Sequence, residues 1–113
     1  MSKNSISPGI VVTVDFPGAT GVKRRPALIV STDLYHRTRP DVIIGVLTSQ
    51  ISAATRPTDY ILQDWSAAGL RLPTAFRTYL STVPNNAVTV IGSLSANDWE
   101  GVKHCLAQAL AVI

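Results

Sequence analysis

The chain has 113 residues, a formal net charge of +3, and 46% hydrophobic against 15% charged residues. That composition excludes a disordered chain, and the length suits one domain, residues 1–113, able to bury a core without disulfide or metal support. A lone cysteine, Cys105, excludes an internal disulfide and a cysteine-based zinc cluster. No run approaches the ~18 apolar residues of a membrane span. MSKNSISPG holds no apolar stretch suited to a signal peptide, so the expected location is cytoplasmic.

Residues 9–16, GIVVTVDF, are β-branched and end at Pro17-Gly18, which reads as a first strand. The turn-rich PGATGVKR predicts a loop. It leads to a second strand over residues 26–32, with Pro26 at the first position, where a missing N–H does little harm. DLYHRTRP reads as a loop holding at most one helical turn. Residues 41–48, DVIIGVLT, form a third strand apolar enough to be buried on both faces. SQISAATRPT is a polar loop, residues 59–63 a short strand, and DWSAAGL a short helical turn stopped by Gly69. Residues 73–83 and 87–93 predict two more strands around a Pro84-Asn85-Asn86 turn, the second interrupted at Gly92. Ser95 with Asp98 three residues on predicts a capping box. Trp99, Val102, Leu106, Ala109, Leu110 and Ile113 then fall on one helical face. Short strands without helix-length crossovers, followed by one helix, predict a mainly β fold: a small, strongly bent antiparallel barrel with a covering C-terminal helix.

The charge is unevenly spread. Lys23, Arg24, Arg25, Arg37 and Arg39 are half of the ten Lys and Arg, and only Asp33 opposes them in that stretch. Such a patch fits a phosphate-bearing or acidic partner, with a solvated face as the equal alternative. Within KRRPALIV, Lys23 and Arg24 are expected on a loop facing solvent. Pro26 restricts Arg25 to extended geometry, which makes Arg25 the cation expected to have least freedom.

Other chemistries are poorly supplied. His36 and His104 lack ligand spacing, so no metal is expected. Cys105 and His104 are helix neighbours that point apart. There is no Gly-rich phosphate loop, and one Glu with scattered Asp indicates no catalytic carboxylate pair. What remains is Arg25 together with Thr48, Ser49 and Gln50 at the end of the buried third strand. These polar residues either line a cleft or simply end a strand, the commoner use of Ser and Thr there. Trp99 and Trp65 are expected in packing. Tyr35, beside His36 and Arg37, is open to base stacking or to packing.

Five segments in order resemble the MazF/PemK family of toxin ribonucleases: GIVVTVDFP, KRRPALIVS with its Arg-Pro-Ala, VLTSQ, DYILQDWSAAGLRLPTAFRT and IGSLSANDWEGV. The resemblance covers nearly the whole chain. It implies the SH3-like barrel shared by MazF and CcdB, a homodimer, and a cognate antitoxin that covers the site. It also implies an endoribonuclease, free of metal and cofactor, that cuts single-stranded RNA at short sequences. By motif match Arg25 and Thr48 take the catalytic places. Arg24, Ser49, Gln50, Arg37, Arg39 and Tyr35 are the expected RNA-binding residues. The family's Asp after the first Gly is Ile10 here, and the loop over residues 17–24 looks shorter than in some relatives. No residue stands out as general base: Arg25 is a poor one, and His36 is expected on a mobile loop. A CcdB-like topoisomerase inhibitor and a non-catalytic binding module of the same fold remain as alternatives.

Overall fold

Strands β1 (Ile10–Gly18) and β2 (Gly21–Ile29) form an antiparallel hairpin with a continuous register from Val11↔Leu28 to Gly18↔Gly21. This is a computed structural model, and it describes residues 6–18 and 21–112. The hairpin corrects the expected loop. Lys23 and Arg24 are ladder residues opposite Phe16 and Asp15. Strand pairing extends through both the Pro-Gly and the Lys-Arg positions to Gly18↔Gly21, and residues 19 and 20 of the expected loop lie outside the described residues.

A short helix α1 (Asp33–Thr38) follows, with the Thr32 hydroxyl accepting from the Tyr35 amide at 3.2 Å. Next come β3 (Asp41–Thr48), β4 (Asp59–Ile61), β5 (Ala75–Pro84), β6 (Val88–Ser93) and α2 (Ala96–Ala109). The sheet order is β4-β5-β3-β2-β1-β6, antiparallel throughout. It is a curled half-barrel with β4 and β6 as its outer strands among the described residues, the expected mainly β, bent antiparallel fold with one C-terminal helix. Register shifts at Val11/Val12 and Gly45/Val46 add the local bend.

Strand alternation sorts the apolar residues onto two faces. One face carries Val11, Leu28, Leu47 and Phe76, covered by Val102 and Cys105 of α2, with Trp65 and Trp99 packed at its border. The other carries Val12, Val14, Ala27, Ile29, Val42 and Ile44. Strand β3 contributes to both, as its continuous apolar run predicts. The helical stripe stops earlier than expected. Leu110 is the extended C-cap, and its side chain is exposed.

The predicted capping box is only half formed. Ser95 Oγ accepts from the Asp98 amide at 3.1 Å. The Asp98 carboxylate, fully buried, turns instead to the preceding segment. It accepts from Tyr60 Oη–H at 2.9 Å and from the Gln63 and Asp64 amides at 3.0 and 2.8 Å. Ser95 Oγ–H donates to Asp64 Oδ2 at 2.6 Å. A buried carboxylate is tolerable only when so satisfied. Burial, and then the hydrogen bond to Asp98, push the Tyr60 phenol up to about 12. The turn after β4 closes with Ala68 N–H and Leu70 N–H both donating to Trp65 O. Gly69, at φ +89, lies directly on β6: a Cβ there would strike Ile91 O, and one on Gly92 would strike Ala68 O. This glycine pair pins the segment that presents Leu70, Arg71 and Leu72.

Candidate functional site

The β2–β3 ladder ends at Ala27↔Val46. Pro26 has no N–H to extend it, and β2 continues paired with β1 alone. A groove of about 920 Å³ opens there. Arg25 and Thr48 stand two residues beyond that last rung, one on each strand, and both line the groove with Ser49 and Gln50. The Gln50 amide donates to Thr48 Oγ1 at 3.1 Å. That bond uses a lone pair of the hydroxyl and leaves its proton available to a ligand.

Arg24 is exposed, as expected, but it is a tethered ladder residue and not part of a loop. It also lines the groove, but it is held there: Nη1 donates to Thr13 Oγ1, itself a lining residue, at 3.0 Å, and Nε lies 3.3 Å from Asp15 Oδ1. Arg25 is exposed and has no side-chain hydrogen bond or ion pair among the described residues. Pro26 and the ladder fix its backbone, while its guanidinium stays free. Partners on the shared strand face decide side-chain order, and backbone restriction does not.

Arg71 was not singled out from the sequence. It also lines the groove, exposed and without a side-chain partner among the described residues. Its position depends on the Gly69–Gly92 contact between distant segments, and no local pattern reports that.

Tyr35, Arg37 and Arg39 are not brought to the groove. They belong to α1 and its end, beside Asp41, and β3 carries Thr48 about 23 Å farther along. Tyr35 Oη–H donates to Asp41 Oδ2 at 3.2 Å, and Arg39 Nε lies 3.1 Å from Asp41 Oδ1. The Arg39 guanidinium lies 5.3 Å from the Tyr35 ring centroid. Desolvation pulls the Asp41 carboxyl upward, yet the bonds from Arg39 and Tyr35 hold it below the usual range.

His36 is not on a mobile loop. Its Nδ1–H donates to Ile6 O at 2.9 Å, and Nε2 meets Ser31 Oγ, which accepts from the Ile43 amide at 3.0 Å. This histidine staples the N-terminal segment to β3. No Asp, Glu or His is among the described residues lining the groove. Among the described residues, no group of three or more His, Cys, Asp or Glu could hold a metal ion, and no helix is long and apolar enough to cross a membrane.

Residues 7–110 match the model of the PemK-like, MazF-like toxins of type II toxin–antitoxin systems. The chain belongs to this family. It is thereby the toxin type of such a system, and endoribonuclease activity is the known function of MazF toxins. Solved structures agree on the fold. A mycobacterial endoribonuclease in complex with its cognate antitoxin is 22% identical, covers 96% of this chain and 98% of its own, and has a TM-score of 0.79. A chain of a MazE–MazF crystal structure from Deinococcus radiodurans gives 18%, 96% and 98%, with a TM-score of 0.77. The Mycobacterium tuberculosis toxin MazF-mt6 gives 18%, 87% and 93%, with a TM-score of 0.69. No curated protein matches the sequence.

Proposed function

We propose that this MazF-like toxin is a metal-independent endoribonuclease that cuts single-stranded RNA in the Arg25–Thr48 groove. The observation that carries this reading is the unpaired Arg25 guanidinium lining the same groove as a hydroxyl whose proton is free. RNA supplies its own nucleophile. The 2′-oxygen attacks the adjacent phosphorus, the P–O5′ bond breaks, and the products are a 2′,3′-cyclic phosphate and a 5′-hydroxyl. The 2′-OH proton leaves to solvent, and the departing O5′ gains one. The protein's part is to hold the phosphate in line and to stabilise the charge that grows on its oxygens. The Arg25 fork suits two phosphoryl oxygens, and Thr48 donates to one of them. Arg71 attracts a neighbouring phosphate, while Ser49 and Gln50 contact the strand as it leaves.

The groove also mixes free cations with the apolar Leu70, Leu72 and Ile91. That lining suits an acidic, partly apolar antitoxin segment competing with RNA, and the mycobacterial relative was solved with its cognate antitoxin. We further propose a cytoplasmic homodimer, which a solution mass of twice 12.1 kDa would support. The deciding experiment incubates the purified protein with a long single-stranded RNA in EDTA and maps new 5′ ends. Cuts at one short sequence, bearing 5′-hydroxyls, are expected. Intact RNA would transfer the case to a topoisomerase-binding or purely binding role.

A further inference from the structure

A second recess of about 180 Å³ lies across β5, lined by Arg56, Thr58, Asp59, Arg77, Thr78 and Tyr79. It shares no lining residue with the groove and is related to it through the β3–β5 ladder. Arg77 is the ladder partner of Val46, a groove-lining residue two positions before Thr48. Strand spacing puts its Cα about 8 Å from that of Thr48.

The recess holds an unusual arginine. Arg77 Nε is buried and has no hydrogen-bond partner among the described residues; it faces Asp59 Oδ1, itself almost fully buried, across a 3.6 Å ion pair. Buried donors are rarely left unmade without a ligand or a functional reason. Asp59 orients the guanidinium from behind, while the Arg56 amide caps its other oxygen at 3.2 Å. The Arg56 side chain is exposed and unpaired among the described residues. Two arginines against one carboxylate leave the recess net positive. The Arg77 guanidinium also lies 5.0 Å from the centroid of the Tyr79 ring, and Tyr79 remains 61% exposed. An exposed aromatic beside paired cations is the arrangement that stacks a splayed base and holds its phosphate.

We propose that Arg56, Arg77 and Tyr79 form a subsite for a flanking nucleotide of single-stranded RNA, beyond the nucleotides held in the groove. This rests on the ribonuclease reading above. The recess is smaller than the ~300 Å³ at which small-molecule pockets begin. It therefore takes the phosphate, between the two arginines, and the base lies outside on the open face of Tyr79.

The test uses fully 2′-O-methylated RNA, which lacks the nucleophile, as a 4-mer and a 12-mer of mixed sequence. Arg56→Gln with Tyr79→Ala should weaken 12-mer binding at least tenfold and lower its salt slope by about 0.7, one phosphate contact on a single strand. Binding of the 4-mer should not change, and the melting temperature should fall only slightly, since both side chains are exposed and Tyr79→Ala removes just the contact with Arg77. Tyr79→Phe should restore the stacking share. Arg77 is left intact, because removing it would strand buried Asp59. A double variant that binds the 12-mer with wild-type affinity and slope overturns the subsite, even if the wild type cleaves RNA. A wild type that cuts nothing, with the double variant still losing 12-mer affinity, overturns the cleavage reading and leaves the subsite standing.

Discussion

Strand β3 has a cationic cluster at each end, and the two clusters use their charge differently. At the Asp41 end, Arg39 is ion-paired with Asp41 and lies over Tyr35, which bonds the same carboxylate, while Arg37 is exposed on α1 and does not line the groove. At the Thr48 end, Arg25 and Arg71 face a groove with no protein partner among the described residues. The sequence shows the same residue types at both places. A cation whose hydrogen bonds are already made, as for Arg39, stabilises the fold locally, whereas one without a hydrogen-bond partner on a concave wall is available to an anion. An unmade hydrogen bond together with a concave wall, and not the abundance of cations, separates a site from a scaffold.

The sharpest way to break this comparison is at Arg25. Arg25→Lys keeps the charge and loses the planar fork. Cleavage should fall on the order of a hundredfold or more, as for loss of a main oxyanion donor. RNA binding should fall far less, and the melting temperature should hold, because Arg25 has no partner to lose. Thr48→Ala should resemble it, and the double variant should be little worse than either. A near-wild-type rate for Arg25→Lys, measured on a defined RNA, would remove the groove's claim to be the catalytic site.

The wall carrying Arg71 depends on Asp98, a charge answered from inside. Tyr60→Phe deletes one bond to that buried carboxylate and should cost about 1.5–3 kcal/mol of stability at neutral pH. The pH dependence has a fixed sign. The Tyr60 phenol stands at about 12, above its ordinary 10.0. Its contribution is complete below pH 10.0 and is lost as pH rises through about 12. Wild-type melting temperature should therefore drop across that alkaline window, and Tyr60→Phe should flatten that drop. Parallel curves for the two proteins would place the alkaline loss elsewhere.

Much of this was legible along the chain. The strands in chain order, the Ser95 cap, the two-faced β3 and the singling out of Arg25 and Thr48, which line one groove, follow from local pattern and motif. What was not legible depended on distant residues. Arg24 is tethered by Thr13 and Asp15 only because the hairpin extends to Gly18↔Gly21. Asp98 leaves its capping box because Tyr60 and the turn after β4 arrive to claim it. Arg71 reaches the groove through Gly69 and Gly92, which look like an ordinary turn stop and a broken strand. Sequence proximity also grouped Arg37 and Arg39 with Arg25, while the length of β3 separates them.

Arg71 sharpens the comparison more gently. As a free cation on the groove wall, it should attract RNA equally in the ground and transition states. Arg71→Ala should then raise KM about tenfold and leave kcat nearly unchanged. A selective fall in kcat would instead bring Arg71 to the reacting phosphate beside Arg25.

The smallest effect is expected at the other end of β3. Arg37→Ala with Arg39→Ala removes two of the ten Lys and Arg, so a view based on net charge predicts weaker RNA binding and a shallower salt dependence. The structure argues otherwise for a short strand. About 23 Å along β3 exceeds two Debye lengths at physiological ionic strength, so these charges are screened from a phosphate at Thr48. Binding of a tetranucleotide should be unchanged in both affinity and salt slope. The loss should appear in the scaffold. Without Arg39, Asp41 keeps its desolvation and one bond from Tyr35, and its carboxyl rises toward the ordinary range. A depressed carboxylate stabilises above its unfolded pKa and loses that stabilisation as pH falls through its folded one. The double variant should therefore melt slightly lower at neutral pH, with the difference from wild type shrinking in acid. A fall in tetranucleotide affinity with unchanged melting would show that the Asp41 end also faces the RNA.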